Sequence, residues 1–381
     1  MRQKNDRELT QDKGTRAKKP HAEFPRFLGN AKDTAARKTY YTDNANAQRT
    51  DTRNAQAKAG RPQQVKAAGK AAQERTAEKT ERAEKMKRPV KRGKVKNPVK
   101  ILFLGGIGEI GKNMTAIECG NDIIIIDAGL TFPDEELPGI DLVIPDISYL
   151  VQNKQKVRGL LITHGHEDHV GGIAYLLKEI NCPVYGTKLT LALSDNKLRE
   201  QRINRAQLLC VKPGDKVKLG CFNVEFINVN HSIAGAVALS IDTPQGRIFH
   251  SGDFKIDLTP VAGKPIDLTR IAEIGQEGVK LLLCESTNVE RPGYTMSETV
   301  VGTTLDHLFS EHANRRIIVA TFASNVHRLQ QIVDLAAKYR RKVALSGRSM
   351  LNVVDAATKI GELAIPEGVL IDVEKIKNFF D

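Results

Sequence analysis

The sequence predicts an α/β protein: a layered sandwich over residues 99–294, a smaller α/β domain over 295–381, and a disordered basic extension over 1–98. Three observations carry this reading. Apolar strand-like runs alternate with helical stretches after residue 98, and each run ends in a polar cluster, as where α/β sandwiches place their sites. From about residue 295 the pattern turns into regular helix–strand alternation of the βαβ kind. Before residue 99 the chain is rich in Lys, Arg, Ala, Gln, Thr and Asn and almost empty of Ile, Leu and Val, so it cannot bury enough apolar surface to offset its ordering entropy.

The elements follow in order. Within the extension, AAQERTAEKTERAEKMKR reads as a transient exposed helix, and FPRFLGN and TYYTD set aromatics among basic residues, an arrangement able to stack on bases. Order begins at VKILFLGG, a strand leading into the glycine-rich GGIGEIG. A dinucleotide-binding turn would open a helix here, but MTAIEC reads as a strand, so the glycines are expected to form a turn close to a site. A tight turn at Gly120-Asn121-Asp122 leads to a buried strand ending at Asp127. A second buried strand (157–163) feeds a polar loop, an amphipathic helix starts near His169, PVYGT is a strand, and LALSDNKLREQRI is a polar helix. A meander follows through KVKLGCFNVEFINVNHS, AVALSIDTPQGRIFHSGDF and VKLLLCESTN, with a hairpin turn at Pro244-Gln245-Gly246. In the second domain SETVVGTTLDHLFSEH is a helix with a Ser N-cap, RIIVATF a buried strand, NVHRLQQIVDLAAKYRR a helix, KVALSG a strand and SMLNVVDAATKIGEL a helix.

Charge divides the chain in the same place. Of its 381 residues, the first 100 hold 28 Lys and Arg against 11 Asp and Glu, whereas the remainder holds 30 against 34. The whole-chain charge of +13 therefore comes from the first quarter, and a basic arm on a slightly acidic body points to a polyanionic partner such as nucleic acid. Five scattered cysteines without a CxxC pair read as small, reduced, mostly buried thiols of a cytoplasmic protein. No apolar run approaches the roughly 20 residues that span a bilayer. The charged first residues lack the apolar segment of a secretory signal.

The chemistry concentrates in ITHGHEDHVGG, residues 162–172. His164 and His166 are two apart on a loop leaving a strand and can reach one metal ion from the same side. Asp168 and His169 lie one helical turn onward and can reach a second ion. Gly165 permits a tight path, and Gly171-Gly172 let the helix pack closely. Three of the chain's nine histidines in six positions is a density that a purely structural role does not require.

This H-x-H-x-D-H run resembles the metallo-β-lactamase superfamily. GGIGEIGKN, PGIDLVIPD, THGHEDHVGG, GDFKID, ESTN with ERPGYTMSE, and ATFASNVHRLQQ together resemble ribonuclease J of its β-CASP branch, across residues 99–381. The resemblance implies an αββα sandwich with an inserted, here incomplete, β-CASP α/β domain. It implies two Zn2+ ions, with Mn2+ or Mg2+ possible at the second site. His164, His166 and His231 would hold the first, Asp168 and His169 the second, and Asp253 would bridge them. Asp127 would orient the ligand loop, and Glu285 takes the branch's first acidic position, where ribonuclease J usually has Asp. Ser324, Asn325 and Val326 match a substrate-contacting segment near a 5′-phosphate pocket, compatible with their reading as a helix cap. The implied activity is attack of a two-metal-activated hydroxide on RNA, leaving a 5′-phosphate and a 3′-hydroxyl. That makes a 5′→3′ exonuclease with endonuclease activity, preferring 5′-monophosphorylated RNA, acting in RNA turnover and ribosomal RNA maturation. Such enzymes are homo-oligomers, dimers or tetramers, without a membrane.

Segments of the family pattern that supply a last histidine to the second ion do not occur in the sequence. The expectation is therefore a fragment that binds the first ion better than the second, shows little nuclease activity and exposes sheet edges. Competing readings are a small-molecule metallohydrolase of the same superfamily and a non-catalytic RNA-binding fragment. The second domain and the basic arm weigh against the former.

Overall fold

The computed structural model describes residues 97–379 apart from residue 136. The disorder expected over 1–98, the transient helix, and the FPRFLGN and TYYTD segments lie outside the described residues, except for positions 97 and 98 themselves.

Two sheets face each other. The first runs β1 (Val99–Gly105), β2 (Met114–Cys119), β3 (Asp122–Ile126), β4 (Val157–Leu161), β5 (Val184–Gly186) and β6 (Leu208–Cys210), in that spatial order. β1 to β3 form an antiparallel meander, and β3 to β6 are parallel. The parallel crossovers carry α1 (Ser148–Gln152), α2 (Glu167–Val170), α3 (Ile173–Glu179) and α4 (Lys188–Glu200). The second sheet is ordered β11 (Leu281–Leu283), β10 (Gly246–His250), β9 (Val237–Thr243), β8 (Phe222–Asn228) and β7 (Lys216–Leu219), antiparallel except for β10 with β11. That parallel pair is bridged by α5 (Leu268–Glu277).

Side-chain alternation along β3 explains the layering. Ile123 and Ile125 join Leu160, Ile173, Leu177 and Leu191 in a core between the first sheet and its helices. Ile124 and Ile126 point the opposite way, against Phe222, Val224, Phe226, Leu239 and Ile241 of the second sheet. A strand buried on both faces needs such an unbroken apolar run, and IIII supplies it. On the far face of the second sheet Ala238 and Phe249 pack with Ile266 and Ile274 around α5. The result is helix, sheet, sheet, helix: the αββα sandwich.

Beyond it come α6 (Glu298–Glu311), α7 (Val326–Lys338), α8 (Arg348–Lys359) and a parallel pair of two-residue strands, β12 (Val343–Ala344) and β13 (Leu370–Ile371). Ser297 caps α6 by accepting from the Thr299 amide, and Asn325 caps α7 by accepting from the Arg328 amide. Leu189 and Leu193 of α4 pack with Val326, Leu329, Val353, Val354 and Ala357, seating α7 and α8 on the sandwich.

Three expectations need correction. RIIVATF is not a buried strand: no strand is formed there, and Ile318 and Phe322 stand 88% and 78% exposed. Ile317 alone tucks against the Phe309 cluster, because an apolar run supplies strand propensity but not the neighbouring ladder that would bury it. LALSDNKLREQRI is less polar in place than expected, since α4 buries Leu189, Leu191, Leu193 and Leu198 between two helical layers. Of the cysteines, Cys119 and Cys182 are buried, Cys221 is half-buried, and Cys210 and Cys284 are exposed; all five are free.

Candidate metal centre

The centre is gathered at strand ends, with Asp168 and His169 added from α2. Asp127 follows β3, His164 and His166 follow β4, and His231 follows β8. Asp253 follows β10, and Glu285 follows β11. Strand order brings these ends to one rim of the sandwich, across sequence separations of more than a hundred residues.

Asp127 organises the loop after β4. It accepts from the Thr163 amide at 2.7 Å and the Thr163 hydroxyl at 2.9 Å, and it receives His169 Nδ1 at 2.8 Å. The backbone closes around it, with the Asp127 amide donating to Leu161 and the Ala128 amide to His169. Thr163 passes the order on. Its hydroxyl proton is committed to Asp127, so its oxygen accepts from His164 Nδ1 at 3.0 Å. That fixes the tautomer of His164 and leaves its Nε2 lone pair pointing into the centre.

The convergence is tight. His164 Nε2 lies 3.0 Å from His166 Nδ1, which lies 3.2 Å from His231 Nε2. On the other side His169 Nε2 lies 3.5 Å from both Asp168 Oδ2 and Asp253 Oδ1, and Asp253 Oδ2 lies 3.9 Å from His231 Nε2. Two triads of donor atoms each fall within 4.8 Å: His164, His166 and His231, and His164, His169 and Asp253. Asp253 thus presents one oxygen to each set. Asp168 stands beside the second triad rather than inside it, its carboxylate also held by Asn113 Nδ2 at 3.2 Å.

Electrostatics favours a cation here. Burial, reinforced by neighbouring imidazolium charge, pushes His164 well below its ordinary value and His166 down to about 3. His231 is also lowered by burial. Burial alone would depress His169 too, but the Asp127 and Asp253 carboxylates override it and raise it to about 10. Burial raises Asp168; it would raise Asp253 as well, but contact with His169 holds that carboxylate low. Three neutral imidazoles therefore aim lone pairs at one point, and two carboxylates flank it. Tetrahedral ligand nitrogens at about 2.0–2.1 Å from a zinc-like ion stand roughly 3.3 Å apart, close to the spacings found. The donor set fits a divalent metal centre.

Glycines make the approach possible. A Cβ on Gly129 would lie 1.7 Å from the Asp168 carbonyl oxygen, and one on Gly172 would lie 2.6 Å from that of Gly129. Glu285 accepts from the Phe254 amide at 3.3 Å, next to Asp253, and from the Thr287 amide at 3.1 Å. Asn325 and Val326 are buried, the first as the α7 cap and the second in the α4–α8 core, while Ser324 is half-buried beside them. Neither Asn325 nor Val326 has a polar contact to the metal centre among the described residues.

Four participants escaped the sequence reading. Thr163 carries the Asp127–His164 link, and its place immediately before the motif was a usable signal. Asn113 contacts Asp168 and His169, and its signal was the GGIGEIGKN turn that precedes it. His250 accepts from the Gly252 amide through Nδ1 at 3.1 Å, and Ser251 accepts from the Glu285 amide at 3.0 Å. Nothing in the local sequence separates those two from ordinary strand-end residues.

The comparisons agree with this geometry. Residues 107–268 match the metallo-β-lactamase superfamily model, and residues 314–381 match the ribonuclease J β-CASP domain model. The chain belongs to the metallo-β-lactamase superfamily. Within it the chain carries the β-CASP domain of ribonuclease J, and its similarity to that protein is extensive. It is 48% identical to ribonuclease J of a Synechocystis species over 286 residues, covering 74% of this chain and 44% of the relative. It is 43% identical to ribonuclease J2 of Bacillus subtilis over 283 residues, covering 74% and 51%. The chain thus spans about half the length of these curated relatives. Among solved structures, a protein of unknown function from Enterococcus faecalis shares the fold, with a TM-score of 0.53 and 18% identity over 73% of this chain and 74% of that one.

Proposed function

We propose that this chain carries the metal-binding part of a ribonuclease that hydrolyses RNA phosphodiesters with two divalent ions, Zn2+ first and Zn2+, Mn2+ or Mg2+ second. The single observation behind this reading is the pair of adjoining donor sets at the strand ends, with Asp253 turning Oδ1 to His169 at 3.5 Å and Oδ2 to His231 at 3.9 Å. His164, His166 and His231 hold one ion, and Asp168, His169 and Asp253 the other. When bound, two such ions lower the pKa of a water nucleophile and offset charge growing on the phosphoryl oxygens. Asp127 keeps the His169 proton on Nδ1, and Thr163 does the same for His164, so both present Nε2 inward. Glu285 steadies the Asp253 turn through the Phe254 amide.

The similarity to ribonuclease J supports the finer reading. In it the enzyme is a 5′→3′ exonuclease with endonuclease activity on 5′-monophosphorylated RNA, works as a cytoplasmic homo-oligomer, and serves RNA turnover and ribosomal RNA maturation. On this reading the segment Ser324, Asn325 and Val326 at the capped start of α7 meets substrate, Ser324 being its less buried member. Asn325 and Val326 set the position of that helix end. Division of the body into 99–294 and 295–381 is the domain scheme that goes with this function. The described residues contain no helix long and apolar enough to cross a membrane.

The test is a metal titration of the full chain beside hydrolysis of a 5′-monophosphorylated RNA oligonucleotide. Binding of two equivalents, with the tighter one and any hydrolysis abolished by His166→Ala, is expected. Absence of metal binding, or turnover of nitrocefin or a thioester in place of RNA, sinks the proposal.

A further inference from the structure

Asn113 stands at the end of the glycine-rich turn, one residue after a positive φ at Lys112. Its backbone is clamped between two site loops: its amide donates to the Asp168 carbonyl at 3.0 Å, and its carbonyl accepts from the Gly129 amide at 3.0 Å. The side chain turns the same way. Nδ2 lies 3.1 Å from the Asp168 carbonyl oxygen, 3.2 Å from Asp168 Oδ2 and 3.1 Å from His169 Nε2. The amide orientation follows from chemistry, because a main-chain carbonyl and a carboxylate only accept; the atom facing them must be the NH2. The Oδ1 atom sits against Gly106, where a Cβ would lie 2.4 Å away. Gly106 therefore leaves room for the amide to keep this orientation.

We infer that Asn113 is a positioning residue for the second metal, tying the glycine-rich turn to the Asp168 carboxylate and holding Asp168 and His169 as a pair. The three histidines of the first set receive no contact from Asn113, so the influence is confined to one of the two ions. This explains why the turn lies where it does: it delivers a neutral donor into a site otherwise built from the ends of β3, β4 and β10 and the loops that follow them. The amide grips the Asp168 oxygen that faces His169 and so keeps that oxygen toward the second set, and groups that orient ligands in this way carry roughly 10- to 100-fold in metal affinity.

The inference rests on the two-ion reading, and the experiment separates their failures. Co2+ is titrated into the full chain, followed by calorimetry and visible absorption, for the wild type, Asn113→Leu, which keeps the volume and loses the donors, and Asn113→Ala. Thermal unfolding of each metal-free protein accompanies the titration. The expected result is an unchanged first equivalent and a second weakened at least about tenfold in both variants, with the spectrum of the first intact. Two wild-type equivalents with Asn113→Leu indistinguishable from wild type overturn the inference alone. Fewer than two equivalents in the wild type overturn the two-ion reading and the inference with it.

Discussion

Asp127 holds a φ of +61°, in the left-handed region that non-glycine residues enter with strain. The compensation is visible: both carboxylate oxygens are used, and the strain aims them at Thr163 and His169. Asp127→Ala leaves His169 Nδ1 and the Thr163 hydroxyl without their acceptor, so a loss of about 1–3 kcal/mol in stability is expected, together with weaker metal uptake, read by chemical denaturation and calorimetry. The shifted histidines set a second prediction. His169, raised to about 10, contributes stability that is fully present below its unfolded value near 6.5 and is lost as pH rises through about 10. His164, His166 and His231 are depressed, so their contribution is present above about 6.5 and drains away as pH falls, for His166 down to about 3. The metal-free chain should therefore lose Tm on acidification from pH 7 to 5, where these three and His250 and His327, which burial also lowers, act against folding and His169 is already protonated. Below pH 10, filling the second set must also displace the His169 proton. Apparent affinity there should rise with pH, and a flat profile in titrations between pH 6 and 8 would contradict this.

At the scale of elements, β3 is where the two sheets and the helical layer meet. Ile124 is fully buried against the second sheet, and Ile124→Ala should cost about 2–5 kcal/mol by denaturant titration. Gly129→Ala tests the close approach of strand end to ligand loop. Its Cβ would collide with the Asp168 carbonyl oxygen, which is backbone and has no rotamer to retreat to. Loss of the second metal equivalent should exceed the loss of the first. Legibility differed among elements for a physical reason. Strands and helices with a strong period or a capping residue, such as IIII or the Ser297 and Asn325 caps, were readable because the signal is local. RIIVATF carried the same apolar signal and misled, because strand formation depends on a ladder partner elsewhere in the chain.

Across the whole molecule, a packed seam and an ion network join the sandwich to the helices that follow. Leu193 of α4 meets Val353, Val354 and Ala357 of α8, while Lys255, two residues past Asp253, pairs with Glu298 at 3.3 Å, and Glu298 pairs with Arg328 of α7 at 2.8 Å. Leu193→Ala should loosen this seam at about 2–5 kcal/mol and speed limited proteolysis between α6 and α8 before the sandwich is cut. The order of residues already states the class of chemistry, since three histidines and an aspartate within six positions make a metal motif whatever surrounds them. It also determined the sandwich's main strands, through apolar runs long enough to be buried on both faces. What the fold adds is the convergence itself, and the two partners, Asn113 and Thr163, that no motif named. Asn113, Thr163, His231, Asp253 and Glu285 meet because strand order places five separate chain segments on one rim. Proximity of that kind depends on sheet pairing across the chain, which no local pattern of residues encodes.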